Sequence, residues 1–179
     1  MEFKRLIKKA KKGDKEALLR LIMDEQADYY KLAYVYMRNK EDALDALQDM
    51  IVVLYQNISK LKKEESFYSW SKTILVNCCR NKLRSQNKIA SLTTSFDQAA
   101  DAPVDGLYAE SEDRIVLEKH LLGLSEIHQE VIRLKYFLDM DYQTMAEILQ
   151  IPVGTVKSRL NHGLKKLKDS LGGEINEEV

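Results

Sequence analysis

Apolar residues in the first half of the chain recur at the spacing of an amphipathic helix. From Glu41 to Ser59 they come every three or four residues, which predicts one buried helix face. That predicted face consists of Ala43, Leu47, Met50, Ile51, Leu54 and Ile58. A different face of the same helix is polar and largely acidic, so we expect it to meet solvent or a partner.

Two further helical patterns flank this one. Upstream, Asp14 stands at an N-cap position, and an apolar pattern runs onward from Ala17 to Tyr36. Downstream, after a short polar loop at residues 60–66, a helix is predicted from Phe67 to Arg84. Its predicted inward side chains are Phe67, Trp70, Ile74 and Cys78.

The second half of the chain predicts four helices that end in a helix-turn-helix. The predicted elements are Ile115–Leu122, a helix capped by Ser125 that runs through Leu138, Tyr142–Leu149 and Val153–Leu171. Ile151-Pro152 interrupts the chain between the last two. A short helix, a tight turn and a longer helix with basic and small polar residues outside is the helix-turn-helix pattern.

Two of these helices have a clear apolar face. The predicted inward residues are Ile127, Val131, Leu134 and Leu138, and in the last helix Val156, Leu160, Leu164 and Leu167. Their spacing of three or four residues fits helices that pack together.

The region between the two halves has a different composition. Residues 86–113 are rich in Ser, Thr, Asp and Ala, contain Pro103 and Gly106, and are longer than an ordinary connection inside one domain. The sequence therefore predicts an all-α fold with two small helical domains, residues 1–86 and 111–173, joined by a flexible acidic linker at residues 87–110. Residues 174–179 form a predicted acidic tail.

Composition excludes several classes of protein. No apolar run approaches the roughly 18 to 20 residues that a membrane span needs, and the N-terminal residues do not resemble a secretory signal. Cys78 and Cys79 are adjacent, which fits neither a redox nor a metal-binding motif, so we expect reduced packing residues in a cytoplasmic protein. His120, His128 and His162 are dispersed, and we predict no enzyme activity, metal, cofactor or small-molecule substrate.

Charges are segregated along the chain, although 28 Lys and Arg balance 28 Asp and Glu. Residues 1–20 carry eight basic residues against Glu2, Asp14 and Glu16. Residues 71–96 contain no acid, residues 97–113 contain six acids and no base, and residues 153–171 are basic again. Each run alone is more often a solvated face, but together these blocks permit a partner of opposite charge.

Several stretches resemble regions of bacterial sigma factors. Residues 139–171, DMDYQTMAEILQIPVGTVKSRLNHGLKKLKDSL, closely resemble the DNA-binding C-terminal domain of that family, and LSEIHQEVIRLKYF (124–137) resembles its first half. EDALDALQDMIVVLYQNI (41–58) resembles the helix by which sigma domain two binds RNA polymerase. FYSWSKTILVNCCRNKLRSQ (67–86) resembles the following helix, which reads and melts the minus-ten element. This layout, with no third domain between the two, is that of the extracytoplasmic-function (ECF) sigma factors.

The resemblance implies an alternative sigma factor that binds core RNA polymerase. Such a protein recognises minus-35 and minus-ten promoter elements and helps melt DNA to start transcription of a stress or envelope regulon. In the family, domain two docks on the β′ clamp helices, and the β flap is a further implied contact. The residues here that match the β′-docking surface are Asp42, Asp45, Gln48 and Asp49. Their acidic and amide side chains suit a basic partner helix.

The resemblance assigns minus-ten recognition to the loop at 60–66 and the helix after it. Asn77 matches the position that lines a pocket for a base flipped out of the duplex, and the loop from Lys62 to Ser66 matches the one that closes over it. Nearby basic side chains would hold phosphates, whereas we expect Trp70 in the core. The predicted minus-ten contacts are Lys62, Lys63, Ser66, Lys72, Asn77, Asn81 and Arg84.

The resemblance assigns minus-35 recognition to the last helix, which enters the major groove with its N-terminal residues leading. The predicted contacts are Thr155, Lys157, Ser158, Arg159, Asn161, His162, Lys165 and Lys166. His162 and Leu164 stand where many relatives have arginine, so the exact minus-35 sequence is not predicted. Gly163 costs this helix about 1 kcal/mol relative to alanine, which we attribute to close approach to DNA.

The resemblance also implies a regulatory partner, an anti-sigma factor that is often membrane-anchored. The acidic linker could mimic nucleic acid inside polymerase channels, in which case replacing its acids would change abortive initiation. Two other interpretations stay open. A stand-alone helix-turn-helix regulator would leave residues 41–86 unexplained, and a nucleic-acid-binding protein that acts without polymerase is suggested by the basic N-terminus.

Overall fold

The computed structural model divides the chain into two compact units, residues 1–104 and 105–179. It describes residues 2–93 and 112–175, with side chains for residues 2–89 and 116–172. Within these ranges the regular secondary structure is helical throughout, which confirms the predicted all-α fold with two helical domains. The predicted linker from residue 94 onward and residues 176–179 of the predicted tail lie outside the described residues.

The described part of the N-terminal unit is built from α-helices with two turns of 3-10 helix. These elements are α1 (Glu2–Lys11), α2 (Lys15–Asp24), α3 (Gln26–Met37), α4 (Lys40–Asn57), the 3-10 turns Ile58–Lys60 and Glu64–Ser66, and α5 (Phe67–Thr93). Asp14 caps α2 as predicted, since its Oδ1 accepts a hydrogen bond of 3.0 Å from the Ala17 backbone N–H. The apolar pattern from Ala17 to Tyr36 is divided between α2 and α3 at Glu25.

The core of the N-terminal unit lies where α3, α4 and α5 pack against one another, and α1 packs against α2. Its largest fully buried side chains are Ile7, Leu21, Tyr29, Leu32, Met50, Leu54, Phe67 and Leu75. The predicted inward face of α4 is confirmed at Ala43, Met50 and Leu54, whereas Leu47 and Ile51 are half-buried.

Helix α5 differs from its prediction in length and in orientation. It continues to Thr93 rather than ending at Arg84. The predicted inward residues Trp70, Ile74 and Cys78 are only half-buried. Its fully enclosed positions are Phe67, Ser71, Leu75, Val76 and Cys79.

A hydrogen bond explains why a serine occupies the inner face of α5. The Tyr29 hydroxyl lies 2.7 Å from Ser71 Oγ, and Ser71 Oγ also lies 3.0 Å from the Tyr68 carbonyl oxygen, to which it can donate. With both hydroxyls partnered, their burial avoids the penalty of an unsatisfied polar group. Burial raises the pKa of Tyr29 above its ordinary value of 10, although the Ser71 hydrogen bond opposes the shift, so the phenol stays protonated.

The described part of the C-terminal unit contains α6 (Glu112–Leu122), α7 (Glu126–Tyr136), α8 (Tyr142–Leu149) and α9 (Val153–Ile175). The prediction for α8 is confirmed at both ends, while α9 continues past Leu171. Asp141 caps α8, because its Oδ1 accepts a hydrogen bond of 2.9 Å from the Thr144 backbone N–H. Gln150 then adopts a left-handed conformation (φ 57°) that ends α8 and starts the turn toward α9.

The C-terminal core forms where α7 and α8 pack against α9. Among its buried side chains are Leu121, Val131, Leu134, Met145, Ile148, Val156, Leu160 and Leu167. The prediction that Ile127 faces inward is wrong, since this side chain is 46% exposed and the adjacent His128 is buried instead. Ser125 occupies the N-cap position of α7, but its hydroxyl lies 2.9 Å from His128 Nδ1 and makes no capping bond.

Gly163 faces the inside of the unit, so our attribution of this glycine to close approach to DNA is wrong. It is buried, and a Cβ added there would lie 3.0 Å from Ile132 Cδ1 and 3.1 Å from His128 Cβ. The glycine therefore allows α7 and α9 to pack closely, and this contact offsets its cost in helix propensity.

A largely buried ion pair joins α6 to α7. The Arg133 guanidinium donates two hydrogen bonds to the Glu118 carboxylate, at 2.8 and 3.1 Å. The two side chains are only 8% and 12% exposed. Because each charge needs the other when removed from water, this pair constrains how the two helices meet.

Candidate nucleic-acid interface

On the polar face of α4, Asp42 and Asp45 contact side chains of α5. Asp42 Oδ2 accepts hydrogen bonds from Asn39 Nδ2 at 2.6 Å and from Gln86 Nε2 of α5 at 3.0 Å. Asp45 Oδ2 lies 3.1 Å from Lys82 Nζ of α5.

Farther along the same face, Gln48 and Asp49 are exposed and make no hydrogen bond or ion pair with another described residue. Of the four residues predicted to dock on polymerase, Gln48 and Asp49 therefore form no hydrogen bond or ion pair with a described residue. Asp42 and Asp45 contact α5 and help to hold it in place.

The outer face of α5 brings together several predicted DNA contacts. Asn77, Asn81 and Arg84 follow one another at intervals of four and three residues, so they share one side of the helix, and all three are exposed. Trp70, one heptad before Asn77, lies on this side too. It is half-buried, so it is not the interior residue that we predicted. This face combines amides, a guanidinium and a partly accessible indole, which are groups that can meet unpaired bases and phosphates.

The loop before α5 is short and locally ordered by hydrogen bonds. Ser66 Oγ donates to the Lys63 carbonyl oxygen at 2.8 Å, and the Ser66 backbone N–H donates to the same oxygen at 3.2 Å. The side chains of Lys62 and Lys63 are exposed. The loop thus carries two accessible positive charges at the N-terminal end of α5.

Lys72, predicted to hold a phosphate, is instead engaged within the unit. Its Nζ lies 2.7 Å from Glu25 Oε2 and 3.9 Å from Asp28 Oδ2, and its side chain is only 16% exposed. Glu25 Oε2 is itself buried, so Lys72 supplies the compensating charge. Lys72 could therefore reach a phosphate only by breaking its ion pair with Glu25.

The outward side of α9 carries the predicted minus-35 residues. Val156, Leu160, Gly163 and Leu167 form its buried side. The most exposed positions opposite are Lys157, Ser158, Asn161, His162, Lys165 and Lys166, with Thr155 and Arg159 half-buried at the edge. All eight predicted residues are thus accessible together on one helix.

An aromatic ring that sequence reasoning missed lies beside this helix. The Tyr142 ring at the start of α8 has Lys157 Nζ of α9 5.5 Å from its centroid, and Lys135 Nζ of α7 at the same distance. Cation–π contacts of this length restrict where the two ammonium groups can lie. The signal available in the sequence was an aromatic residue at the first position of the helix before the turn.

Positive charge on α9 also acts on its buried neighbour. Burial lowers the pKa of His128 below its ordinary value of 6.5, and the charges of Lys166, His162 and Arg159 lower it further. Near neutral pH, His128 is therefore an uncharged packing residue beneath α9.

Cys78 and Cys79 both lie on α5 as free thiols, and burial disfavours ionisation of each. Burial raises the pKa of Cys79 to about 12 and also raises the pKa of the half-buried Cys78. Among the residues that the structure describes, no group of His, Cys, Asp and Glu could hold a metal ion. No helix in the described ranges is long and apolar enough to span a membrane.

Comparison with known proteins decides the family. Residues 21–89 match the family described as Sigma-70 region 2, and residues 114–167 match the one described as Sigma-70, region 4. The chain is 30% identical over 166 residues to "RNA polymerase sigma factor SigV" of Bacillus subtilis. The aligned region covers 93% of this chain and 98% of that protein. It is 28% identical to "ECF RNA polymerase sigma factor SigW" of the same organism, which covers 96% and 97%. The chain belongs to the ECF sigma factors.

Solved structures share the fold of this ECF sigma factor. CnrH, in complex with the cytosolic domain of CnrY, superposes with a TM-score of 0.66 at 20% identity, covering 97% of this chain and 99% of that one. The sigma factor RpoE of Bartonella quintana, in complex with the anti-sigma factor NepR, superposes with a TM-score of 0.65 at 20% identity. The superposition covers 86% of this chain and 95% of that one. A stand-alone helix-turn-helix regulator is not favoured, because such a protein would not need a sigma region 2.

Proposed function

We propose that this alternative sigma factor binds core RNA polymerase through α4, reads the minus-ten element with α5 and the loop before it, and reads the minus-35 element with α9. The observation that carries the proposal is the presence of both sigma regions, in order, in one chain, each with an accessible polar face. Catalysis of RNA synthesis would belong to the polymerase, and we place the protein in the cytoplasm.

The polymerase surface centres on Gln48 and Asp49. Both are exposed and form no hydrogen bond or ion pair with a described residue, so they can engage a basic helix without first breaking such a contact. Asp42 and Asp45 flank them and contribute negative charge, although each already contacts α5.

The minus-ten surface consists of the exposed face of α5 and the adjoining loop. Asn77 and Asn81 offer amides to base edges, Trp70 offers a stacking surface, and Arg84, Lys62 and Lys63 offer charge to phosphates. Ser66 helps to hold the loop through its bond to Lys63.

The minus-35 surface is the outer side of α9. Ser158, Asn161 and His162 lie near its middle and suit base edges, whereas Lys165, Lys166 and Arg159 suit backbone phosphates. Thr155 lies in the first turn, where backbone N–H groups favour a phosphate. Lys157 is directed by the Tyr142 ring.

The regulatory partner is an anti-sigma factor, either soluble or membrane-anchored. The support is that similar folds occur in complexes whose names include an anti-sigma factor or a cytosolic domain. Such a partner would act by covering the α4 face and thereby competing with polymerase.

The test is binding to bacterial core RNA polymerase by gel filtration, comparing wild type with Asp49→Arg. Asp49 is chosen because reversing Asp45 would also disturb Lys82 and α5. We expect core affinity to fall by roughly tenfold or more for Asp49→Arg. Glu16→Arg, the same charge change on exposed α2, should bind as wild type. Failure of the wild type to co-elute, with tight binding to operator-like duplex alone, would instead support a conventional repressor.

A further inference from the structure

Helix α1 is a strongly basic element to which the proposed function gives no role. It carries Lys4, Arg5, Lys8, Lys9 and Lys11, and Lys12 follows directly. It also lies outside the segment that matches sigma region 2, residues 21–89. Its sequence did not predict a helix, because lysines separate its few apolar residues.

The basic side of α1 is directed outward by the packing of its other side. Leu6, Ile7 and Ala10 are buried, with exposures of 8%, 0% and 2%. Arg5, Lys8 and Lys12 project from the opposite side at intervals of three and four residues, and all are exposed. None of the three forms an ion pair with another described residue.

Three contacts place α1 beside the loop before α5. Phe3 stacks on Tyr68, with ring centroids 5.3 Å apart, and meets Phe67 edge-on at 6.4 Å. Lys4 Nζ lies 2.6 Å from Glu65 Oε1 in the 3-10 turn that leads into α5. Lys8 lies one turn beyond Lys4 on the same side of α1, and α1 contacts the 3-10 turns Ile58–Lys60 and Glu64–Ser66, between which Lys62 and Lys63 lie.

An anionic membrane is a poorer partner than a polyanion in solution. An amphipathic helix binds a bilayer by inserting its apolar face. The apolar face of α1 is already occupied by the core of the unit, which leaves only charge available. A basic surface that continues a proposed DNA-binding loop is electrostatically complementary to phosphates.

We propose that the outward face of α1, formed by Arg5 and Lys8, binds backbone phosphates of promoter DNA next to the minus-ten element, together with Lys12 just beyond the end of the helix. It extends the surface of Lys62 and Lys63 without reading bases. This inference rests on the proposed sigma function, since it assumes that the loop approaches the minus-ten element.

The experiment measures promoter binding by the reconstituted holoenzyme, with the full chain, at several salt concentrations. Lys8→Gln/Lys12→Gln is compared with Lys31→Gln/Lys40→Gln, which removes two exposed charges from α3 and α4. Log affinity falls as log salt concentration rises. Loss of two phosphate contacts should make this slope less steep, by about 1.8 for duplex DNA or about 1.4 for single-stranded DNA. We expect roughly tenfold weaker promoter binding near 0.1 M salt for the α1 variant. The control variant should keep the promoter affinity and the salt slope of wild type.

The outcomes separate this inference from the sigma function itself. Core binding and unfolding of the α1 variant should match wild type, because glutamine keeps the helix propensity and the buried face is unchanged. An unchanged salt slope in a variant that still initiates transcription would overturn the inference and leave the sigma function intact. Loss of binding to anionic vesicles with unchanged promoter binding would show a membrane role instead.

Discussion

At the scale of single residues, Gly163 illustrates how the interior of the C-terminal unit constrains helix α9. Alanine would gain about 1 kcal/mol of helix propensity at an exposed helical position. Here the added methyl group meets Ile132 and the Cβ of His128 at distances that require a shift. Overpacking of a close contact costs about 1 to 3 kcal/mol, so packing should outweigh propensity.

We therefore predict that Gly163→Ala destabilises the C-terminal unit by about 1 kcal/mol. Gly172→Ala is the matched control on the same helix, because nothing lies within 4 Å of its Cβ position. The measurement is hydrogen exchange of α7 and α9. Unfolding followed by fluorescence of Trp70, the single tryptophan of the chain, should not change, because it reports on the N-terminal unit. Slower exchange in Gly163→Ala than in wild type would contradict the prediction.

The lowered pKa of His128 predicts a loss of stability in mild acid. The unfolded chain takes up the proton at a higher pH than the folded chain, so stability present above pH 6.5 is lost as pH falls through the folded pKa. We expect His128→Asn, which keeps a polar atom near Ser125, to lose less stability than wild type between pH 7 and pH 5. The measurement is hydrogen exchange of α7 at the two pH values. Asn161→Gln, an uncharged change on the exposed side of α9, should lose stability as wild type does. A result in which both variants behave alike would be inconsistent with this mechanism.

At the scale of helices, the ion pair between Glu118 and Arg133 determines how α6 meets α7. Glu118→Gln leaves the buried guanidinium without its counter-charge, which costs about 3 to 5 kcal/mol when such a pair is broken. The double variant Glu118→Leu/Arg133→Met removes both charges and should recover most of that loss. Thermal unfolding followed by circular dichroism compares the three proteins. If the double variant is as unstable as Glu118→Gln, packing rather than charge dominates at this site.

Helices α8 and α5 differ in how well the sequence predicted them. Helix α8 is confirmed at both ends, because Asp141 and the Ile151-Pro152 break are local signals. The inward face of α5 was placed incorrectly, because it includes Ser71, whose hydroxyl is partnered inside by the Tyr68 carbonyl oxygen and by the Tyr29 hydroxyl, 42 residues away. Periodicity counts apolar residues and cannot detect a distant hydroxyl that satisfies a polar one.

The candidate surfaces show the same limit. The outer side of α9 was predictable, because its buried residues are apolar and evenly spaced. The engagement of Lys72 by Glu25 was not, since nothing local distinguishes a paired lysine from a free one. Helix α1 escaped prediction because six basic residues between Lys4 and Lys12 obscure a short buried stripe.

At the scale of the whole molecule, each unit has a separate core, and the two sigma regions lie in different units. The two proposed DNA-binding surfaces lie on one chain, so binding of one would make binding of the other intramolecular. For two sites joined in this way the effective concentration can be of the order of millimolar. The covalent connection would then carry this part of the function.

The separated fragments 1–93 and 112–179 test this role of the covalent connection. Each should fold, as judged by circular dichroism, and fragment 1–93 should bind core polymerase through α4. A mixture of both at about 1 μM should nevertheless lose most promoter-specific transcription, because the second fragment is present at roughly a thousandth of its effective concentration in the intact chain. Raising fragment 112–179 toward 100 μM should restore part of the activity. Transcription at 1 μM equal to that of the intact chain would mean that polymerase itself holds the two fragments tightly, and that the covalent connection contributes little to assembly.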